Sequence, residues 1–230
     1  MKKIFFLFLF SAISMPYSGM YFEDGLTIFD YYSSDKEDGD KVTDIEIGIA
    51  YLEKQGQSNN KDKPTLIQSG SLEAMLAYKR SALKQLNDDE LSYNLDVIKF
   101  GFAYYNNNRK FAYNYQNAFK QTGNLVDYFN DLGGTIKTDM QIQELSFGWF
   151  EKIANQPHTL FLNFVHRVGK MEMLITHPAA GTINISESGD VNYIELGIGF
   201  EVYEKFIIQP ILTITEDSEN NFAISSIFNL

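Results

Sequence analysis

The chain has 230 residues, no cysteine, and 30 acidic against 19 basic side chains, for a net charge of −11. Without cysteine it has no disulfide, no thiolate metal site and no lipid-anchored N-terminal Cys. The acidic balance excludes docking through nucleic-acid phosphates, which needs a basic face.

The N-terminus reads as an export signal. Lys2 and Lys3 form a positive start, 4–10 is an unbroken apolar run, and Ala12 and Ser14 supply small residues for cleavage. This predicts a signal peptide over 1–14, cut between about 14 and 19, where Ser18 and Gly19 compete with Ser14. The apolar run is shorter than the ~20 residues a membrane-spanning helix needs. The mature domain is therefore 20–230, and nothing after residue 20 reads as a membrane helix. Life in a membrane would require strands.

"LTIFDYY" (26–32) is the first strand, and "IEIGIAYLEK" (45–54) begins a phrase written four times. Its other copies are "KFGFAYYNN" (99–107), "ELSFGWFEK" (144–152) and "IELGIGFEVYEK" (194–205), with "NFAIS" (221–225) as a weaker fifth. Side chains alternate across a strand. One face of the first copy carries Ile45, Ile47, Ile49 and Tyr51; the other carries Asp44, Glu46, Gly48 and Ala50. In the last copy Leu196, Ile198 and Phe200 oppose Glu195, Gly197, Gly199 and Glu201. The second face is small or charged rather than evenly polar, so it is confined rather than solvated. The large face ends in an aromatic before a polar turn: Tyr51, Tyr104, Trp149, Phe200. That pattern suits a strand with lipid outside and a narrow lumen inside, with the aromatics as a rim girdle.

Each copy needs a return strand. "RKFAYNYQNAF" (109–119), "LFLNFVHRVG" (160–169) and "FIIQPILTI" (206–214) supply three. Between the first and second copies lies "SLEAMLAYKRSALKQL" (71–86), whose Leu72, Met75, Leu76, Leu83 and Leu86 have helical spacing. Topology demands a strand there, because two strands of the same sense cannot be neighbours in an antiparallel meander. Leu72, Leu76 and Tyr78 would point outward. The count is ten strands in an all-β, antiparallel up-and-down transmembrane barrel, with eight as the fallback. Links after the repeated phrase are short; those at the other end, "SSDKEDGDK", "QTGNLVDYFNDLGG" and "THPAAGTINISESGD", are long and polar. The exception is "KQGQSNNKDKPTLIQSG" (54–70). In "LSYNLDVIKFGFAYY" (91–105) the apolar face changes parity, which projection of the strand beyond lipid explains in preference to a bulge.

These phrases, their aromatic rim and the loop asymmetry resemble the small outer-membrane β-barrels of Gram-negative bacteria, in the manner of the OmpA, OmpX and OmpW barrels. The resemblance implies residence in the bacterial outer membrane. It also implies contact with its lipid and lipopolysaccharide, delivery by the barrel-assembly machinery, and a monomer. The last strand, "FAISSIFNL", departs from the pattern by ending in Leu230 rather than an aromatic.

The inward charges Glu46, Lys99, Lys110, Glu144, Arg167, Glu195 and Glu201 are the candidate site. They form either a salt-bridge network filling the barrel or a selectivity filter. Three histidines, His158, His166 and His177, allow a lipid-modifying enzyme to be considered. His177 has Ser186, Glu187 and Ser188 further along its loop, an arrangement common by chance. No metal-binding spacing or phosphate loop is present, and "SSDKEDGD" lacks the spacing of a calcium loop. The expected function is therefore non-enzymatic: a barrel with interacting surface loops and at most a narrow pore, without metal or cofactor. A small passive channel and an outer-membrane lipid-modifying enzyme are the alternatives. A soluble barrel binding apolar ligands would need the large residues inside.

Overall fold

The computed structural model describes residues 25–37, 40–53, 70–85, 91–153, 158–203, 205–216 and 220–230. The expected signal peptide and nearly all of the 54–70 link lie outside the described residues.

The strands are β1 (Gly25–Glu37), β2 (Asp40–Glu53), β3 (Ser71–Gln85), β4 (Ser92–Asn106) and β5 (Arg109–Thr122). A short helix, α1 (Asn124–Asp131), precedes β6 (Thr135–Lys152), β7 (His158–His177), β8 (Gly181–Tyr203), β9 (Phe206–Thr215) and β10 (Asn220–Asn229). Every strand pairs antiparallel with its sequence neighbours, and β1 closes on β10. The result is a closed ten-stranded up-and-down barrel. Closure leaves no strand edge within the wall, which is what hydrocarbon requires of a sheet. Gly25 and Asn229 share one rim, here called the terminal rim; the other is the distal rim.

The segment with helical spacing is a strand along its described length. Its inward residues Glu73, Met75, Ala77 and Lys79 are buried, while Leu72, Leu76 and Tyr78 are exposed. β2 and β4 each lack a partner unless β3 lies between them, and those two ladders override the local helical pattern.

The structure corrects three sequence readings. The parity change in β4 is a bulge between Asp96 and Val97, not projection beyond the lipid, and Leu95, Asp96 and Val97 are all buried there. The link after β5, read as a long polar loop, contains α1, which packs over β4, β5 and β6 at the distal end with Val126 buried and Leu125 and Phe129 beside it. The long loop read over "THPAAGTINISESGD" is a tight turn at 178–180. β7 and β8 continue almost to it as one long hairpin.

The small residues of the repeated phrase have a structural reason. Four glycines stand directly opposite a bulky inward side chain of the next strand: Gly48 with Phe29, Gly101 with Asn114, Gly148 with Asn163 and Gly197 with Phe161. A Cβ at any of the four would overlap that neighbour. The glycines are thus the space into which the lumen's rings and amides fold.

Candidate functional site

The barrel presents two surfaces of opposite character. Its outer wall is apolar: Ile45, Ile47, Ile49, Phe100, Phe102 and Leu145 all face outward, with Ile47 57% and Phe102 61% exposed. Tyr51, Tyr104, Trp149 and Phe200 are also exposed, towards the terminal rim. A concavity of about 1130 Å³ follows the hydrogen-bonding direction around this wall, past Leu72, Phe102, Phe111, Leu145 and Phe164. Distally the wall turns polar. His166 Nδ1 lies 2.8 Å from Asn192 Oδ1, and Asn192 Nδ2 donates to Glu216 Oε1 at 2.7 Å.

The lumen is layered. Towards the terminal rim Phe29, Leu52, Phe150, Phe161, Ile207 and Ile227 belong to one apolar cluster. Beneath the distal rim Leu95, Val97, Ile136, Met140, Ile142 and Met171 form another, under α1. Between and around these layers sit the charges. Lys99 Nζ reaches both carboxylate oxygens of Glu46, at 3.1 and 3.3 Å. It crosses β3 to do so, and the register puts small Ala77 in its path. Lys110 Nζ is 3.2 Å from Glu73, whose other oxygen accepts the Tyr105 hydroxyl at 2.9 Å. Arg167 Nε donates to Glu144 Oε1 at 2.8 Å, and Tyr193 and Gln116 donate to the same carboxylate at 3.1 and 3.2 Å. Glu195 accepts from Asn163 at 3.1 Å, and its second oxygen is without a partner among the described residues.

Six of the seven charges expected inward are therefore buried in the lumen. Glu201 is not: it is partly exposed beside the β8 irregularity between Glu201 and Tyr203, near the terminal rim. The sequence reading put Asp44 on the inward face but left it out of the charged set, and it did not place Glu73 or Lys79. Lys79 Nζ lies 2.9 Å from Asp44 with both side chains fully buried. Parity could have brought all three into the set. Asp44 is in phase with Glu46, and Glu73 and Lys79 are in phase with each other along β3; the helical spacing hid the second pair.

The histidines do not assemble into a catalytic group. The His158 ring packs edge-on to Phe200 at 5.0 Å between centroids. His177 Nδ1 accepts the backbone N–H of Ala179 and Ala180, each at 3.2 Å, and so holds the hairpin turn. Ser186 pairs with Glu172, well down that hairpin from His177. Among the described residues no group of three or more His, Cys, Asp or Glu could hold a metal ion.

No family model matches the chain, and no curated protein does. Solved structures similar to it are outer-membrane barrels of low identity. The translocator domain of the autotransporter NalP from Neisseria meningitidis is 9% identical at TM-score 0.46, covering 100% of this chain and 96% of that one. The β-domain of the Bordetella autotransporter BrkA is 10% identical at TM-score 0.49, over 90% and 99%. Ail, the attachment invasion locus protein of Yersinia pestis, is 11% identical at TM-score 0.37, over 90% and 98%. Likeness at this distance concerns architecture and carries nothing about activity.

Proposed function

We propose that the chain is a non-enzymatic barrel of the bacterial outer membrane, with a sealed lumen and a distal end that serves as its contact surface. The observation that carries this reading is that Lys79, Lys99, Glu144 and Glu195 are all 0% exposed. A water-filled channel would leave its lining charges accessible. Here Lys79, Lys99 and Glu144 are ion-paired, Glu195 is hydrogen-bonded to Asn163, and apolar layers lie on both sides, so the interior stiffens the barrel instead of conducting. The outer wall supports the membrane setting. Soluble monomers rarely expose apolar patches above a few hundred Å², and this belt surrounds the barrel. In this reading the barrel stands in outer-membrane lipid and lipopolysaccharide as a monomer, placed by the barrel-assembly machinery, with its distal end outside the cell.

Two measurements test the proposal. The mature protein should require detergent and run faster on a gel before heating than after; ordinary mobility with solubility in plain buffer would overturn the membrane setting. Reconstituted into a planar bilayer, it should give no conductance steps above baseline. Reproducible steps would overturn the sealed lumen and restore the passive-channel alternative.

A further inference from the structure

The wall of the barrel does not stop where its apolar belt ends. β6, β7 and β8 continue distally as a three-stranded sheet, with Thr135 paired to Thr176 on one ladder and His177 to Gly181 on the other. The two edges of this sheet differ. Along β6 the edge is covered: Gln121 Nε2 donates to the Ile136 carbonyl at 2.7 Å, and Gly134 N–H reaches back to Phe129 of α1 at 2.8 Å. Along β8 it is open among the described residues. β9 joins β8 first at Tyr193↔Thr215, so β8 from Gly181 to Asn192 pairs with β7 alone among the described residues. β9 ends at Thr215 and β10 begins at Asn220.

An open edge presents unpaired N–H and C=O groups in register, which is a template for one more strand. This edge spans roughly 40 Å at about 3.3 Å per residue. Its chemistry narrows the occupant. From Gly181 to Asn192 the strand carries Glu187 and Asp190 and no cation. Being three apart, these two acids lie on opposite faces. The neighbouring Lys170 on β7 is 2.6 Å from Glu172, and so is already engaged. A second copy is a poor occupant. Two barrels upright in one membrane would align their edges parallel at equal height, setting Glu187 against Glu187 and Asp190 against Asp190.

We propose that the β8 edge from Gly181 to Asn192 docks an extended basic segment of another protein, added as a fourth strand with Lys or Arg on both faces opposite Glu187 and Asp190. Backbone hydrogen bonds would supply affinity, and the two acids would select charge and register. This rests on the proposed function only in placing the edge outside the cell.

The test uses the folded barrel in detergent, its fold checked by heat-modifiable mobility, and a labelled peptide as long as the edge. The peptide is Thr and Val with Lys at every third position, which puts Lys on both faces. Fluorescence anisotropy should show saturable binding. Glu187→Lys with Asp190→Lys, both at exposed or half-exposed positions, should weaken it roughly tenfold or more. A peptide of equal charge interrupted by prolines should not bind. Three outcomes overturn the proposal: no binding, equal binding of the proline peptide (attraction to an acidic protein only), or concentration-dependent self-association of the barrel blocked by the same substitutions. Absence of binding by a barrel that still shows heat-modifiable mobility refutes the docking edge and leaves the membrane reading intact.

Discussion

Removing one member of the Glu144–Arg167 pair should cost more than removing both. Glu144 is fully buried, and its carboxylate accepts from Arg167, Tyr193 and Gln116. Glu144→Leu would leave the guanidinium, itself 1% exposed, without its carboxylate in an enclosed lumen. Breaking a buried pair from one side costs about 3–5 kcal/mol, whereas replacing both partners by apolar groups of similar volume is often close to neutral. For a chain of this size each kcal/mol moves the midpoint by ~2–4 °C. The single variants Glu144→Leu and Arg167→Met should therefore lower the temperature of the gel-mobility shift by roughly 10 °C. The double variant should recover most of that loss. The coupling follows from the shared dry environment, since water reaching either group would solvate the orphan and shrink the effect. If both single variants melt within about 2 °C of the wild type, the lumen is wet and the sealed-barrel reasoning fails.

The repeated phrase makes a second prediction. Gly48→Val should block folding because its Cβ would overlap the buried Phe29 ring, while Gly189→Ala, with nothing within 4 Å, should fold normally; heat-modifiable mobility distinguishes them. In the proposed membrane setting, Phe102→Arg on the outer wall should cost about 2–4 kcal/mol near the belt's middle. That loss should appear as a lower denaturant midpoint in liposomes. At the distal edge of the belt the Asp96 carboxylate accepts hydrogen bonds from the Tyr78 hydroxyl at 2.7 Å and from Arg80 Nε at 2.8 Å. Asp96→Leu should remove both and lower the temperature of the gel-mobility shift by a few degrees, because hydrogen bonds to a charged group contribute about 1.5–3 kcal/mol each.

What could be read without coordinates was whatever depends on period two. Alternation placed Ile47 and Phe102 outward and Glu46, Lys99, Glu144 and Glu195 inward, because a one-residue shift would put every large side chain in the lumen. Strand number followed from chain direction alone, which is why 71–86 could be assigned against its own helical spacing. Alternation is silent about partners, and partners were decided by register. That Lys99 meets Glu46 over Ala77, and that Gly48 makes room for Phe29, depends on which residues of non-adjacent segments share a level. The β4 bulge, the α1 lid and the unequal lengths of β8 and β9 are likewise products of tertiary fit. A ladder ends where its neighbour ends, and no single strand encodes that. The open β8 edge exists only because β9 stops at Thr215 while β7 continues to His177.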